Sequence, residues 1–488
     1  MKKAEEIFEK YNYIFLIPLL ILYLYTRFQY LGEICYYIHA DELEAAYEAM
    51  SLAHYRTFGP FHNDLLVILG AATMMLKGGL FSLKLFRLLS VLAGLFGTAF
   101  SYMCVLELTG KKKYAFLEAV VVITLPIYFI SQRAGVGEYL FLEIVPAAYY
   151  FLLKAAGSSK RLYYILSGIL WGLIILTGSS AYFIVPVFLT ASLIYLIRSK
   201  KTSLIDAAAL IIPVLIFVPV LFVLGHESMN LGFGNILANI KNFKAVIWDD
   251  LHPFNVSSTF GTVFIFSIPL MAVGAVISVA DTVSSVKRKE YSFGIILWIY
   301  ILTVIISDLL TKDADLQTGC SLFFAVSLLL AEGMIYISKN LKWTFIIEIA
   351  VYLICFRIFT YYYFENFNSE VNNSTDHEMG IVVDKSVGEA VKAALRLIPG
   401  KEIAVISDDF EGRNLMIALF GDASPEDCRN FMDLDEYSFG NIRVVNEYTE
   451  DDSIYVINQA EHQDIIDSLI SAGWGCVYLK EYTVCYRQ

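Results

Sequence analysis

Long apolar segments recur along this chain almost to residue 363, and they constrain its fold more than any other feature. Each is long enough to cross a hydrocarbon core of about 30 Å as a helix. The composition agrees, because 57% of the residues are hydrophobic and the mean hydropathy is +0.60, values typical of a polytopic membrane protein. We predict about eleven spans, near residues 12–30, 84–106, 114–131, 138–154, 162–179, 181–197, 205–224, 259–280, 291–309, 318–337 and 343–363.

The distribution of lysine and arginine predicts the orientation of these spans. Basic clusters such as Lys111 to Lys113, Arg198 to Lys201 and Lys287 to Lys289 fall in alternate loops, so they lie on one side of the membrane. The positive-inside rule makes that side cytoplasmic. The N-terminus is then cytoplasmic and the C-terminus external. Residues 1–12 are too acidic and too long for the start of a signal peptide, so we interpret the first segment as a retained span.

An acidic cluster follows the first span, within a predicted external loop at residues 32–83. It comprises Asp41, Glu42, Glu44 and Glu48. The stretch HADELEAAYEAMSLAHYR, residues 39–56, places apolar residues at three-and-four spacing, which predicts an amphipathic helix on the bilayer surface. Residues 61–77 are apolar, but a further span there would disturb the charge alternation. We therefore predict a second interfacial helix.

Beyond residue 363 the composition changes, and a separate soluble domain is predicted over residues 364–488. This region carries 24 Asp plus Glu against 9 Lys plus Arg, a net charge of −15 in a chain of net charge −12. Its pattern alternates helices near 385–397, from about 411 and at 461–471 with strands at 402–406 and 453–457, and it ends in a hairpin. This pattern predicts an acidic α/β domain. Its charge argues against binding nucleic acid.

Two cysteines of this region, Cys476 and Cys485, could face each other across the terminal hairpin. The chain has seven cysteines, however, and an odd number is weak support for a disulfide framework. The pairing is therefore open from the sequence. Cysteine and histidine spacings characteristic of zinc sites are also missing from the sequence.

Three further features occur in a characteristic order. An Asp-Glu pair opens the loop helix, KLFRLLSVLAG follows at 84–94, and ISQRAGVGEYLFLEIVPAAYYFLLKA follows at 130–155. In this order the chain resembles the GT-C integral-membrane glycosyltransferases, in particular the protein O-mannosyltransferase and aminoarabinose-transferase type and a related bacterial family. The resemblance implies a membrane all-α bundle of GT-C type over residues 1–363, with about eleven transmembrane helices and interfacial helices in the first external loop, plus the C-terminal α/β domain.

The resemblance implies an inverting glycosyltransferase of a bacterial cell membrane. Such an enzyme moves a sugar from a polyprenyl-phosphate donor to an acceptor at the outer face, which is a protein, a lipid or a cell-surface polymer. Asp41 is then the catalytic base and Glu42 assists or orients it. Displacement at an anomeric carbon requires a carboxylate to accept the proton of the acceptor hydroxyl. The helix N-terminus favours the ionised form of Asp41.

Further residues are candidates for the donor and acceptor sites. Arg133, near the external end of the third span, is the candidate for the donor phosphate, because arginine binds phosphate oxygens in a bidentate manner. Glu138 matches the position of an acid in the family. A divalent metal ion is a candidate cofactor. The remaining candidates line a cavity or bind the acceptor, and they are His54, Arg56, His62 and, in a second external loop at 225–258, Trp248 and Asp249.

The sequence leaves other interpretations open. Asp41 could cap its helix together with Glu44 as in a capping box, Arg133 could be a lipid anchor, and the charges of loop 225–258 could be merely solvated. A transporter or flippase for a lipid-linked or anionic solute, and a non-catalytic scaffold, are the alternatives in function. Against transport, the sequence shows few ionisable residues within the spans and no inverted repeat.

Overall fold

The computed structural model describes residues 2–34, 36–61, 64–78, 81–158, 160–224, 232–240, 259–288, 290–312, 316–341, 343–372, 382–406, 413–432, 434–451 and 453–487. Fourteen of its helices precede the C-terminal region. They are α1 (Lys2–Phe28), α2 (Ala40–Tyr55), α3 (Leu65–Lys77), α4 (Leu83–Thr109), α5 (Lys112–Thr124), α6 (Pro126–Ser131), α7 (Gly137–Ser158), α8 (Arg161–Ile175), α9 (Ala181–Arg198), α10 (Leu204–Leu224), α11 (Ser267–Arg288), α12 (Phe293–Leu310), α13 (Leu322–Asn340) and α14 (Thr344–Asn372).

Among the described residues, nine helices are long and apolar enough to cross a membrane, which makes the chain a multi-pass membrane protein. They are α1, α4, α7, α9, α10, α11, α12, α13 and α14. Two of the eleven predicted spans differ. The segment at 114–131 is divided into α5 and α6, because Pro126 cannot continue a helix and holds Leu125 in an extended conformation. The segment at 162–179 forms α8, which has only 15 residues.

The chain forms two compact units whose boundaries differ from the predicted division at residue 363. The first unit comprises Met1–Leu31 and Arg87–Phe367, and therefore most of the apolar helices. The second comprises Gly32–Phe86 and Asn368–Gln488. The residues of the predicted first external loop thus belong with the C-terminal region. This long-range grouping has no signal in local sequence patterns.

The C-terminal region has the predicted α/β character. Its helices are α15 (Ser386–Leu397), α16 (Arg413–Gly421), α17 (Pro425–Phe431) and α18 (Gln463–Ser471). Its strands are β2 (Val382–Asp384), β3 (Ile403–Ile406), β4 (Tyr437–Phe439), β5 (Ile442–Val445), β6 (Ile454–Asn458), β7 (Gly475–Leu479) and β8 (Tyr482–Tyr486). Six strands form one sheet in the order β4-β5-β3-β6-β8-β7, in which β3 is parallel to β5 and β6.

The terminal hairpin resolves the question of the two cysteines. Strands β7 and β8 pair antiparallel, and Cys476 lies directly opposite Cys485 in their register. The Cα atoms of the two residues are 4.3 Å apart, and their sulfur atoms form a disulfide. Below the sheet, Trp474 packs with buried side chains of β3, β6 and α18 in one apolar core. The hairpin is thereby fixed both covalently and by packing.

The first loop is connected to the C-terminal region through a second, two-stranded sheet. Strand β1 (Tyr37–His39) pairs antiparallel with β2, with Tyr37 opposite Asp384 and His39 opposite Val382. Helix α2 follows β1 immediately and packs against α3 and α16. The apolar stripe that predicted a bilayer-surface helix is buried within this unit, and its Tyr47 hydroxyl donates to the carbonyls of Ala423 and Ser424 at 3.1 Å.

Candidate functional site

The acidic cluster lies where β1 ends and α2 begins. His39 occupies the N-cap position, and the amide of Asp41 donates to its Nδ1 at 3.3 Å. Asp41 is therefore in the first turn, and the structure does not show it as the capping residue. Its side chain is 50% exposed, with Oδ2 3.3 Å from the same Nδ1. A neutral Nδ1 accepts from the amide, whereas a protonated one donates to the carboxylate, so the ring serves one partner at a time.

Two further carboxyl groups lie within the electrostatic reach of Asp41. Burial, and secondarily the negative charge of Asp41, raise the pKa of Glu44 to about 7, against the opposing effect of His39. Burial raises the pKa of Asp64 to about 7 as well, although the amides of Val67 and Leu66 lower it, and Asp41 adds to the increase. Asp64 also accepts from Val67 N at 2.8 Å as the cap of α3. The site thus combines an exposed carboxylate with two groups that are half protonated near neutral pH.

The other two acids of the cluster are buried in α2. Glu42 is 0% exposed. Glu48 accepts from the amides of Gly59 at 2.6 Å and Phe61 at 2.6 Å, so it organises the turn that follows the helix. Burial raises the pKa of Glu48 to about 7 in spite of these two donors. Within the cluster, only Asp41 therefore presents a largely exposed carboxylate.

His54 and Arg56 lie at the other end of α2. Thirteen residues separate Asp41 from His54, and at a rise of about 1.5 Å per residue they are about 20 Å apart along the axis. His54 Nδ1 lies 2.7 Å from Asp422 Oδ1, and Arg56 Nη1 lies 2.8 Å from Met75 Sδ. These contacts bind the end of α2 to its own unit. The role of both residues in a cavity stays a prediction.

Arg133 binds the end of the first span. Its Nη1 donates to the carbonyls of Thr26 at 2.9 Å and Arg27 at 2.8 Å, and its Nη2 donates to Tyr30 O at 3.4 Å. These acceptors lie in the last turn of α1 and just beyond it, where carbonyls lack partners within the helix. The side chain is 2% exposed, and its guanidinium lies 5.4 Å from the ring centre of Phe129. Phosphate binding by Arg133 stays a prediction beside this structural contact.

Glu138 lies in the first turn of α7, where the helix dipole favours a negative charge. It is partly buried against Gly178, whose hypothetical Cβ would be 3.1 Å from Glu138 Oε1. Its backbone carbonyl accepts from Cys320 Sγ at 3.2 Å. The remaining predicted site residues, His62, Trp248 and Asp249, lie outside the described residues.

A buried polar network lies within the first unit and was not predicted from the sequence. Gln132 connects a buried guanidinium with a buried carboxyl group: its Oε1 accepts from Arg27 Nε at 3.1 Å, and its Nε2 donates to Glu143 Oε1 at 3.1 Å. Arg27 also donates to Ile123 O at 2.7 Å and lies 4.8 Å from the ring centres of Tyr23 and Phe129. Arg27 and Glu143 are visible in the sequence as ionisable residues inside apolar segments. Arg27 lies more than 100 residues from Gln132, so their contact could not be predicted from the local sequence.

A second buried carboxyl also lies within an apolar helix. Glu118 of α5 accepts from Ser327 Oγ of α13 at 2.7 Å. Both residues are 0% exposed. Ionisable residues are therefore more common inside the apolar helices than the sequence analysis inferred.

The divalent metal ion that the sequence offers as a candidate cofactor would need several His, Cys, Asp or Glu side chains close together. Over the ranges that the structure describes, His, Cys, Asp and Glu do not gather in groups of three or more that could hold a metal ion. The described side chains around Asp41 therefore do not by themselves supply the usual number of metal ligands, and His62 lies outside the described residues.

Comparison with known proteins gives structural relatives but no sequence relatives. No family model matches the sequence, and no curated protein matches it. The crystal structure of ArnT from Cupriavidus metallidurans in the apo state is similar with a TM-score of 0.59 at 10% identity, over 97% of this chain and 98% of that chain. The same protein bound to undecaprenyl phosphate gives 0.54 at 11% identity, over 96% and 97%.

A third similar structure comes from an archaeon. The Archaeoglobus fulgidus oligosaccharyltransferase in complex with Zn and sulfate gives a TM-score of 0.51 at 12% identity, over 93% of this chain and 69% of that chain. ArnT is an aminoarabinose transferase, and both proteins are GT-C membrane glycosyltransferases. The similarity extends over nearly the whole chain, including the C-terminal region. The chain therefore has the GT-C fold of these membrane enzymes.

Proposed function

We propose that the protein is an inverting glycosyltransferase that moves a sugar from a polyprenyl-phosphate donor to an acceptor at the outer face of the membrane. The observation that carries this proposal is the half-exposed Asp41 carboxylate at the N-terminus of α2, in a chain with the GT-C fold. One similar structure contains undecaprenyl phosphate, which supports a donor of this lipid class. The C-terminal residues are proposed to be external, as the charge alternation predicts.

In the proposed reaction, Asp41 accepts the proton of the acceptor hydroxyl while that oxygen attacks the anomeric carbon of the sugar. The new bond to the acceptor forms as the bond from the anomeric carbon to the phosphate oxygen breaks, and the polyprenyl phosphate leaves with the bonding electrons. A single displacement of this kind inverts the anomeric configuration.

The surroundings of Asp41 suit a base. Its carboxylate reaches water, whereas Glu42 and Glu48 are buried in the same helix. Burial raises the pKa values of Glu44 and Asp64 to about 7. At neutral pH each of these two groups is therefore partly protonated, which reduces the negative charge beside Asp41. This limits the repulsion between the carboxyl groups.

The C-terminal region has a proposed role in holding this base in place. The pairing of β1 with β2 ends one residue before α2 begins, and Lys385 Nζ donates to Gly32 O at 2.6 Å. At the other end of α2, Tyr55 donates to Asp422 O at 2.6 Å. Contacts within one unit therefore restrain α2 at both ends, as a catalytic carboxylate requires.

The test is sugar release from a panel of radiolabelled polyprenyl-phosphate sugars by purified wild type and the Asp41→Asn variant. Wild type is expected to turn over at least one donor, and the variant is expected to bind that donor with turnover lowered about 100-fold or more. Asp467→Asn, which neutralises an exposed carboxylate of α18 in the same unit, is the matched control and keeps wild-type turnover.

Two outcomes contradict the proposal. Full turnover by Asp41→Asn would assign the base to another residue. Failure of wild type to turn over every donor, in a preparation that moves lipid-linked solute across vesicles, would favour a transporter.

A further inference from the structure

A cavity lies within the first unit, far in sequence from the acidic cluster of α2. Its volume is about 270 Å³, and its walls come from α4, α7, α11, α12 and α13. Its lining includes Thr109 at the end of α4, Ser292 just before α12 and Lys339 near the end of α13. The cavity is therefore at the end of the bundle where the lysine-rich connections of these helices occur.

The polar groups of the cavity are unusual for apolar helices. Asp281 of α11 and Glu332 of α13 both line it, together with Lys339. The charges of Asp281 and Lys339 both act on Glu332, and Ser278 forms a hydrogen bond to its carboxyl group. The lining of the cavity thus includes two acids and one base. Ionisable residues are rare in membrane helices, and they usually indicate a binding or transport site.

Within the described part of the chain, these three charges do not neutralise one another through ion pairs. Asp281, Glu332 and Lys339 form no salt bridge there, and the charged atom of Lys339 lies 5.7 Å from the ring centre of Tyr114. This differs from Lys154, which pairs with Glu107 at 2.6 Å. The lining also includes apolar and aromatic residues, among them Leu108 and Tyr149.

We propose that this cavity binds the headgroup of a phospholipid that carries a primary amine next to its phosphate. The ammonium group would lie between the carboxylates of Asp281 and Glu332, and Lys339 would bind the phosphate. The volume is near the lower limit of about 300 Å³ for ligand pockets, which suits a headgroup. An occupant at this place reaches it from the bilayer, and the two carboxylates favour a lipid with a cationic group over an anionic lipid.

The proposal is tested by binding of phosphatidylethanolamine and phosphatidylglycerol with identical acyl chains to the delipidated full-length protein, measured by native mass spectrometry. We expect wild type to bind phosphatidylethanolamine about 10-fold more tightly. The Asp281→Asn and Glu332→Gln double variant is expected to lose this preference. Glu290→Gln, which changes an exposed carboxylate just before α12, is the matched control and keeps it.

Additional variants keep the test decisive. If the double variant does not fold, Asp281→Asn alone is used, because Asp281 is exposed and its substitution should leave the fold intact. This single substitution is expected to lower the preference about 3-fold. Lys339→Gln is expected to weaken binding of both lipids.

Equal binding of the two lipids by wild type would overturn the proposal, as would an unchanged preference in the carboxylate variants. Binding of free phosphoethanolamine as tightly as the lipid would overturn the assignment to a membrane lipid. Sugar transfer is a separate readout, so this proposal and the proposed function fail independently.

Discussion

The buried charges of the first unit and the acids around Asp41 in the second unit are satisfied in different ways. Arg27 donates to Gln132, Thr26 and Ile123 and packs on aromatic rings, and it is 0% exposed. Asp41 is half exposed and lies among other carboxyl groups whose pKa values it helps to raise. In the first arrangement, the N–H groups of the Arg27 guanidinium are used in hydrogen bonds that hold helices together. The second leaves a carboxylate in water, where it can exchange a proton.

The difference teaches how to separate structural from chemical charges in a membrane enzyme. A cation enclosed by carbonyls, an amide and aromatic rings contributes to stability, and its removal leaves buried acceptors without a donor. An acid that is half exposed and lies among like charges contributes less to folding than a buried, fully hydrogen-bonded charge. The comparison predicts that substitutions in the two regions affect different measurements.

The largest effect on stability is expected for Arg27→Met. This substitution leaves Gln132 Oε1 and Ile123 O without their buried donor, and it should lower the free energy of unfolding by about 3–5 kcal/mol. Thermal unfolding in detergent is the measurement. The matched control is Arg161→Met, because Arg161 is 60% exposed in its pair with Asp206, and it should cost less than about 1 kcal/mol. Equal effects of both substitutions would remove the distinction drawn for buried charges.

A smaller loss is expected for Gly97→Ala in α4. An added Cβ would lie 2.5 Å from Glu143 Oε2 and 2.7 Å from Glu143 O, so the contact of α4 with α7 must open. Overpacking of this kind costs about 1–3 kcal/mol. Gly157→Ala is the control within α7, because its added Cβ meets nothing within 4 Å, and it should be neutral or stabilising. A neutral Gly97→Ala would show that this close packing is not needed around the network.

The acids of the second unit should make stability depend on pH. Glu44, Glu48 and Asp64 have pKa values raised to about 7, so between about pH 4.5 and 7 the folded state binds more protons than the unfolded state. Stability therefore falls as the pH rises through this window. The melting temperature should decrease from pH 5 to pH 8, and Glu44→Gln should make the decrease shallower. A melting temperature that rises with pH in wild type would contradict these shifts.

The smallest effect is expected for Asp422→Asn. The substitution weakens the 2.7 Å contact between Asp422 and His54. Because the side chains of His54 and Asp422 are 25% and 37% exposed, the free energy of unfolding should fall by about 0.5 kcal/mol. Asparagine tolerates the left-handed backbone of Asp422, whose φ is 59°, and the carbonyl that binds Tyr55 is kept. Chemical denaturation measures the change. A loss above about 2 kcal/mol would mean that this pair carries much of the attachment of α2.

Much of the fold could be predicted from local patterns, because apolar length and α/β periodicity are local properties. They predicted most of the long helices and the terminal hairpin. The break at Pro126 was overlooked, although a proline there is a direct signal. The grouping of Gly32–Phe86 with the C-terminal region depends on pairing of β1 with β2 across more than 300 residues, which no local pattern specifies.

The candidate site was predictable to a different degree. Asp41 was found because an acid beside a helix start is visible in the sequence. Asp64 was not connected to it, because their proximity arises from the packing of α2 and α3. The contact of Asp41 with His39, two residues earlier, is local and was overlooked. Arg27 and Glu143 were overlooked for the same reason, since Gln132 lies between them only in three dimensions.

The most direct test of the central claim measures turnover and melting temperature on one preparation of Asp41→Asn. We expect that turnover falls about 100-fold or more while the melting temperature stays within about 2 °C of wild type, because the carboxylate is half exposed. Wild-type turnover in the variant would contradict the claim. A loss of turnover that accompanies a large fall in melting temperature would contradict it equally, because Asp41 would then be structural.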